Sequence, residues 1–282
     1  WKSRTPGHPE VHVTPGVEAT TGPLGQGFAM AVGMAAAECI LRARMGQDVC
    51  DHHTYVLASD GDLQEPVCLG SAALAGHWSL GKLIVLYDSN QIQLSGPTKR
   101  CDCTNYRTVF EGFCWQVIEV DGHDHEAIRK ALAEAKADTA RPTLIIGHTT
   151  IAKGTATREG DFETHGAPLP PEEIAATKKK LGLPEDKFFH MPQEALEAFR
   201  ARFPELRAMA AAWNKNFEAR FDKDEAFQDL WRVSKRNPAN RSFNWPAFEP
   251  GSKIATRSAW GKCLEALIDQ LPILVGGSAD LD

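Results

Sequence analysis

An α/β fold, with a parallel sheet flanked by helices, is predicted by two features of this sequence. Short apolar runs of strand length alternate with longer helical stretches, and the runs end repeatedly in Asp, Ser, Asn or Gly. Alternation of this kind implies parallel strands joined through helices that cover both faces of the sheet. Taking the elements in order, Gly22 and Pro23 before residues 24–45, and Gly46 after them, punctuate an Ala-rich helix. Residues 54–58 read as a buried strand ending in Ser59, Asp60 and Gly61, and 66–77 as the helix that follows. The pattern recurs at 83–87, ending in Asp88, Ser89 and Asn90, and at 115–120, ending in Asp121 and Gly122. Asp124 caps a helix over 126–137, and 143–146 give a further strand ending near His148 and Thr149.

Beyond Pro170 the chain turns charged, with amphipathic helical stretches over 172–181 and 193–221 that carry no evident chemistry. A Pro-, Asn- and Trp-rich run over 237–251 reads as linker, after which 256–271 restart as helix and 273–275 as strand. The division this predicts is a first domain over 1–225, a linker over 226–250 and the start of a second domain over 251–282.

Composition narrows the classes. With 282 residues, 43% of them hydrophobic, the chain can bury the core of one large domain and part of another. A net charge of −6 gives no electrostatic basis for nonspecific nucleic-acid binding, which needs a basic face. No apolar run approaches the roughly 20 residues that span a bilayer. Trp1 opens the chain without a Met or a signal-like stretch, so the N-terminus is expected to lie upstream. Seven cysteines, an odd number without a CxxC pair, point to a reducing, cytoplasmic compartment. Cys50, Asp51, His52 and His53 could ligate zinc, but such neighbours rarely converge on one ion, and a surface loop is the favoured reading.

The chemistry sits where ligands of parallel sheets bind, outside the carboxyl ends of the strands. Asp60 follows one strand and Asn90 the next. A carboxylate, an amide oxygen and a nearby backbone carbonyl, best supplied by Ile92, make half an octahedral oxygen shell suited to Mg2+ or Ca2+. Water and phosphate oxygens would complete it. With one protein negative charge the ion keeps a net positive charge, which suits it to bridging a diphosphate. Alone, Ser59-Asp60-Gly61 would read as an ordinary turn; the spacing to Asn90 shifts the balance.

The run from Ser59 through Asp60, Gly61, Asp62, Leu63, Gln64 and Glu65, continuing to Asp88, Ser89 and Asn90, resembles the thiamine diphosphate motif, GDG followed about 30 residues later by N. Residues 3–10 (SRTPGHPE), 20–27 (TTGPLGQG) and 164–169 (THGAPL) are similar to transketolases in particular, and 255–257 with 276–281 resemble the opening of that family's pyrimidine-binding domain. Ser59 departs from the first glycine of the motif, harmlessly if its φ is negative. Ser89 stands before Asn90 where the family has Asp or Asn, and Pro66 stands where it often has Gly, a position open to proline in the first turn of a helix.

The resemblance implies a diphosphate-binding domain lacking its N-terminal part and the beginning of a pyrimidine-binding domain, truncated at both ends. It implies thiamine diphosphate as cofactor with Mg2+ (or Ca2+) held by Asp60, Asn90 and the Ile92 carbonyl. Gly22, Pro23, Leu24 and Gly61 would line the cofactor near a helix start, where free amides favour anions. His165 would contact the diphosphate and the sugar, His8 the donor's hydroxyl, and Arg257 the sugar phosphate. Glu65 resembles the carboxylate linking two cofactor sites across a homodimer, and Asp280 one lining the cofactor pocket, while Leu94 and Ile151 would pack near its rings. Each of these has a plainer alternative: a satisfied histidine, a solvated acid, a helix-surface arginine, a Gly-rich helix start or ordinary core. The activity implied is transfer of a two-carbon ketol unit from a ketose phosphate to an aldose phosphate in the pentose phosphate pathway. The glutamate that assists cofactor deprotonation in this family falls beyond Asp282, so the chain alone is expected not to turn over. Two other classes compete. One is an Asp-x-Asp phosphatase or phosphotransferase using Asp60 and Asp62; the other is a catalytically silent cofactor-binding module.

Overall fold

The computed structural model describes residues 4–235, 242–271 and 273–277. It divides into two units, one running to Gly46 and from Cys50 to Ala198, the other holding Gln47–Val49 and the residues from Phe199 onward. The first unit opens with α1 (Gln26–Met45), bounded by Gly25 at φ 74° and Gly46 at φ 95°, both in left-handed φ space that glycine adopts without strain. Next come β1 (Thr54–Ser59), α2 (Asp60–Gln64), α3 (Pro66–His77, with proline in its first turn) and β2 (Leu83–Ser89). A small antiparallel hairpin follows, β3 (Ile92–Gln93) with β4 (Gly96–Pro97). The unit continues with α4 (Tyr106–Gly112), β5 (Gln116–Asp121), α5 (His125–Ala137), β6 (Thr143–His148) and α6 (Pro171–Lys180), and the division between the units falls within α7 (Gln193–Arg200). Asp124 caps α5 as the sequence predicts, its carboxylate accepting from the amides of Glu126 and Ala127.

The four long strands form a parallel sheet in the order β1-β2-β6-β5. Ser59 pairs with Asp88, Ser89 with His148 and Asp121 with His148, so all four strands end at one level. That shared edge places the residues after β1 and β2 together. On one face, Phe28, Val32 and Ala35 of α1 and Ala72 and Ala75 of α3 pack over Val56, Val85, Leu144 and Ile146. Phe110 and Trp115 meet edge-to-face at 5.1 Å below them, with the Trp115 indole donating to the Ala72 carbonyl at 2.9 Å. On the other face, Ala131 and Ala135 of α5 cover Ile84 and Ile145.

Helices lie on both faces of the sheet as the sequence predicts, but the cover does not extend over the outer side of β1. β1 is an edge strand, and its Tyr55 and Leu57 are 56% and 83% exposed. They lie in register with Ile84 and Leu86, on the α5 side of the sheet. A short apolar run reports strand formation without reporting whether a helix lies over it.

In the second unit, α8 (Phe203–Phe221), α9 (Glu225–Lys235) and α10 (Thr256–Ile268) are helical. Phe217 of α8 packs against Phe227 and Trp231 of α9, and the Arg220 guanidinium lies 4.2 Å from the centre of the Phe227 ring. α9 therefore occupies residues that composition had placed at the start of the linker, because Phe227 and Trp231, one turn apart, give it an apolar stripe. The helical stretch over 193–221 breaks at residues 201–202, ahead of Pro204 in the first turn of α8. The strand expected over 273–275 is absent: Ile273 lies in a turn and 274–277 are irregular, with no pairing strand among the described residues.

Candidate functional site at the strand ends

Ser59 has φ −120° and ψ 172°, ordinary extended backbone, so a serine at this position carries no strain. Asp60 follows as the first residue of α2 and is 5% exposed. Its Oδ1 accepts from the Tyr87 hydroxyl at 2.6 Å and its Oδ2 from the Gln91 amide at 2.9 Å. Burial pushes the Asp60 carboxyl above its usual range, against the hydrogen bonds from Tyr87, Gln91 and the Asn90 backbone, while the charge of Asp88 adds to the rise. Burial and the Asp60 bond likewise raise the Tyr87 phenol, which stays protonated as a donor.

Asn90 is brought to the same place by a local turn. Its Oδ1 accepts from the Ile92 amide at 2.9 Å, and Gln91 adopts φ 59°, a left-handed conformation uncommon outside glycine and asparagine. This turn aims the Gln91 amide at Asp60 and starts the hairpin with Ile92. The Asp60 carboxylate is thus tied through the Gln91 amide to the turn that carries Asn90 and Ile92. Each side-chain oxygen keeps lone-pair capacity beyond its hydrogen bonds, and the donor set is all hard oxygen, which fits Mg2+ or Ca2+. No cluster of three or more His, Cys, Asp or Glu suited to a metal is found among the described residues, so the amide and carbonyl oxygens would be needed to complete the set.

The glycine loop before α1 lies beside this turn. Leu24 packs on Gly61, where an added Cβ would meet its Cδ1 at 3.2 Å. At Gly22, φ 146°, a Cβ would stand 3.2 Å from the His8 ring, and at Gly25 it would stand 2.8 Å from the Glu65 Cβ. His8, Gly22, Leu24, Gly61, Gly25 and Glu65 therefore form one contiguous surface. His8, Gly22, Pro23, Leu24 and Asp62 line a cavity of about 590 Å³. The same cavity is lined by Met30, Met34, Tyr55 and Leu57, and Asp60, Gly61, Asn90 and Ile92 are not among its lining residues; it is the absent side chain at Gly22 that leaves room for a phosphate group beside the loop.

The remaining candidates are placed differently. His165 is exposed at the end of a 3₁₀ turn over Phe162–Thr164 that lies next to β4, in a loop whose Thr149 amide donates to the Ser89 carbonyl at 3.2 Å. Leu94 is 72% exposed and Ile151 half-buried. Arg257 is exposed in the first turn of α10, in the second unit. Asp280 lies outside the described residues. Sequence reasoning missed Tyr87 and Gln91 as partners of Asp60, and gave Asp62 no part in the cofactor site. Tyr87 reads as one more apolar strand residue, and nothing in the sequence marks Gln91 as left-handed.

The family described as "Transketolase, thiamine diphosphate binding domain" matches residues 1–237. The chain belongs to the transketolase family. It is 45% identical over 291 aligned residues to the transketolase of Geobacillus stearothermophilus and 44% identical over 290 to that of Treponema pallidum, covering 100% and 99% of this chain and 43% of each relative. The solved transketolase of Leishmania mexicana superposes with a TM-score of 0.88 at 41% identity, over 99% of this chain and 42% of that one. A Pichia stipitis transketolase solved in complex with sedoheptulose 7-phosphate superposes with a TM-score of 0.88 at 35% identity, over the same shares. The chain thus spans under half the length of the transketolases it matches. The parallel sheet flanked by helices is the transketolase arrangement. Asp60 and Asn90, the positions that resemble the GDG-to-N motif, follow the adjacent strands β1 and β2.

Proposed function

We propose that this chain binds thiamine diphosphate through a divalent cation, Mg2+ or Ca2+, as the diphosphate-binding part of a transketolase that moves a two-carbon ketol unit between sugar phosphates. The observation that supports this reading is that the Asp60 carboxylate, at the end of β1, accepts from the amide of Gln91, the residue after Asn90 at the end of β2. Asp60, Asn90 and the Ile92 carbonyl hold the cation, and the ion relieves the burial that raises Asp60. Gly22, Pro23, Leu24 and Gly61 line the diphosphate side. His8, at the mouth of the cavity, hydrogen-bonds the sugar donor, His165 reaches diphosphate and sugar, and Arg257 and Asp280 act from the later part of the chain. When bound, the cofactor supplies a thiazolium carbon that stabilises carbanion chemistry. The longer polypeptide works as a homodimer, with Glu65 near the subunit boundary, in the cytoplasmic pentose phosphate pathway; the domain division is 1–225, 226–250 and 251–282, with α9 at the start of the linker. For these 282 residues by themselves the reading predicts cofactor binding without ketol transfer.

The phosphatase reading is disfavoured by the bonding of its two carboxylates. Asp62 accepts three hydrogen bonds from Gly25 and Ser59, and Asp60 is buried against Tyr87, so neither is free as nucleophile or acid. Calorimetric titration with thiamine diphosphate, with Mg2+ and then with a chelator, tests the proposal. Saturable binding that needs the ion and weakens on the order of a hundredfold in Asp60→Ala is expected. Equal binding with and without the ion, or by Asp60→Ala, would refute it.

A further inference from the structure

We infer that Asp62 is a positioning residue which locks the glycine loop before α1 to the β1–α2 turn, setting the distance between the two halves of the cofactor site. The inference rests on the cofactor-binding reading above. Asp62 is the third residue of α2, and its two oxygens serve different segments. Oδ1 accepts from the Gly25 amide at 2.8 Å, across 37 residues of sequence. Oδ2 accepts from the Ser59 amide at 2.9 Å and from the Ser59 hydroxyl at 2.8 Å.

What these donors carry gives the contact its meaning. Gly25 directly follows Gly22–Leu24, the proposed diphosphate contacts, and Ser59 directly precedes Asp60, the proposed metal ligand. Gly25 has no slack: a Cβ there would lie 2.8 Å from the Glu65 Cβ and 3.1 Å from the Val67 Cγ1, so its backbone is seated on the α2–α3 junction. α1 has no side-chain cap of its own and no acidic residue in its first turn, which leaves the Asp62 carboxylate as the group that fixes the Gly25 amide. Bonds to an ionised acceptor are the stronger kind, and three of them converge here.

Asp62→Asn preserves shape but cannot preserve the bonding. Both ends of the side chain face donors, so the amide must turn its NH2 toward one of them and break that arm. The experiment compares wild type, Asp62→Asn, Ser59→Ala and Asp60→Ala in the 282-residue chain, reading hydrogen exchange at the Gly25 and Ser59 amides, thiamine diphosphate affinity at saturating Mg2+, and the thermal midpoint. Asp62→Asn is expected to speed exchange about tenfold at whichever of the Gly25 and Ser59 amides its NH2 comes to face, and to weaken the cofactor about tenfold while keeping the requirement for Mg2+. Ser59→Ala, which loses the hydroxyl arm alone, is expected to give a smaller change of the same sign and secures the result if Asp62→Asn folds poorly. A lower thermal midpoint with unchanged affinity in the folded variant would mean a purely structural role and overturn the inference. So would unchanged exchange at both the Gly25 and the Ser59 amides. Retained cofactor binding by Asp60→Ala sinks the cofactor reading instead, while the exchange data still decide whether the clamp exists.

Discussion

The two faces of the β1–β2 pair contrast sharply although the same residues alternate between them. Toward α1 and α3, Val56, Ala58, Leu83, Val85 and Tyr87 are buried under a close-packed roof. Toward the other side, β2 is covered through Ile84, while Tyr55 and Leu57 of β1 stand open. Both strands nevertheless end level, with Asp60 directly after β1 and Asn90 directly after β2. The end of β1 is thus anchored by one packed face and by its register with β2.

Predictions that probe this contrast run from large to small. Cys68, fully buried within the roof, has its thiol pushed up to about 12 by burial, whereas Cys39, Cys101, Cys103 and Cys114 are exposed. Sealed from reagent and held protonated, Cys68 should alkylate more than about tenfold more slowly than these exposed thiols at about pH 8. Peptide mapping after timed iodoacetamide treatment checks it; comparable labelling of Cys68 in the folded chain would mean that the roof is not closed. Leu83→Ala, under the roof at 0% exposure, should lower stability by about 2–5 kcal/mol in urea titrations. Leu57→Ala, on the open face, should change it by no more than about 0.5 kcal/mol. Equal losses at Leu83 and Leu57 would erase the distinction between the faces.

How much was legible in the sequence follows the same physical line. Helix caps and strand ends are written locally, so α3, the Asp124 cap and the levels of Asp60 and Asn90 could be read from turn chemistry and spacing. The tie from Asp62 to Gly25 could not, because it depends on a fold that returns two segments 37 residues apart to one carboxylate. Burial also escaped the pattern: an apolar run such as Tyr55–Val56–Leu57 does not say which of its faces will be covered. In the later helices the reverse occurred, where Pro- and Asn-rich composition after residue 236 obscured the aromatic stripe of Phe227 and Trp231 that makes α9. Arg257 and His165 were picked out by resemblance alone, and local physics had given them nothing beyond exposed loop and helix positions.

The central claim is that Asp60 and Asn90 share one cation. Electron paramagnetic titration with Mn2+, in the presence of thiamine diphosphate, tests it most directly. One tight site is predicted in the wild-type chain, weakened on the order of tenfold or more by Asn90→Ala and by Asp60→Ala, with the double substitution losing less than the sum of the two. Full Mn2+ binding in either single variant, or strictly additive losses, would contradict a shared ion.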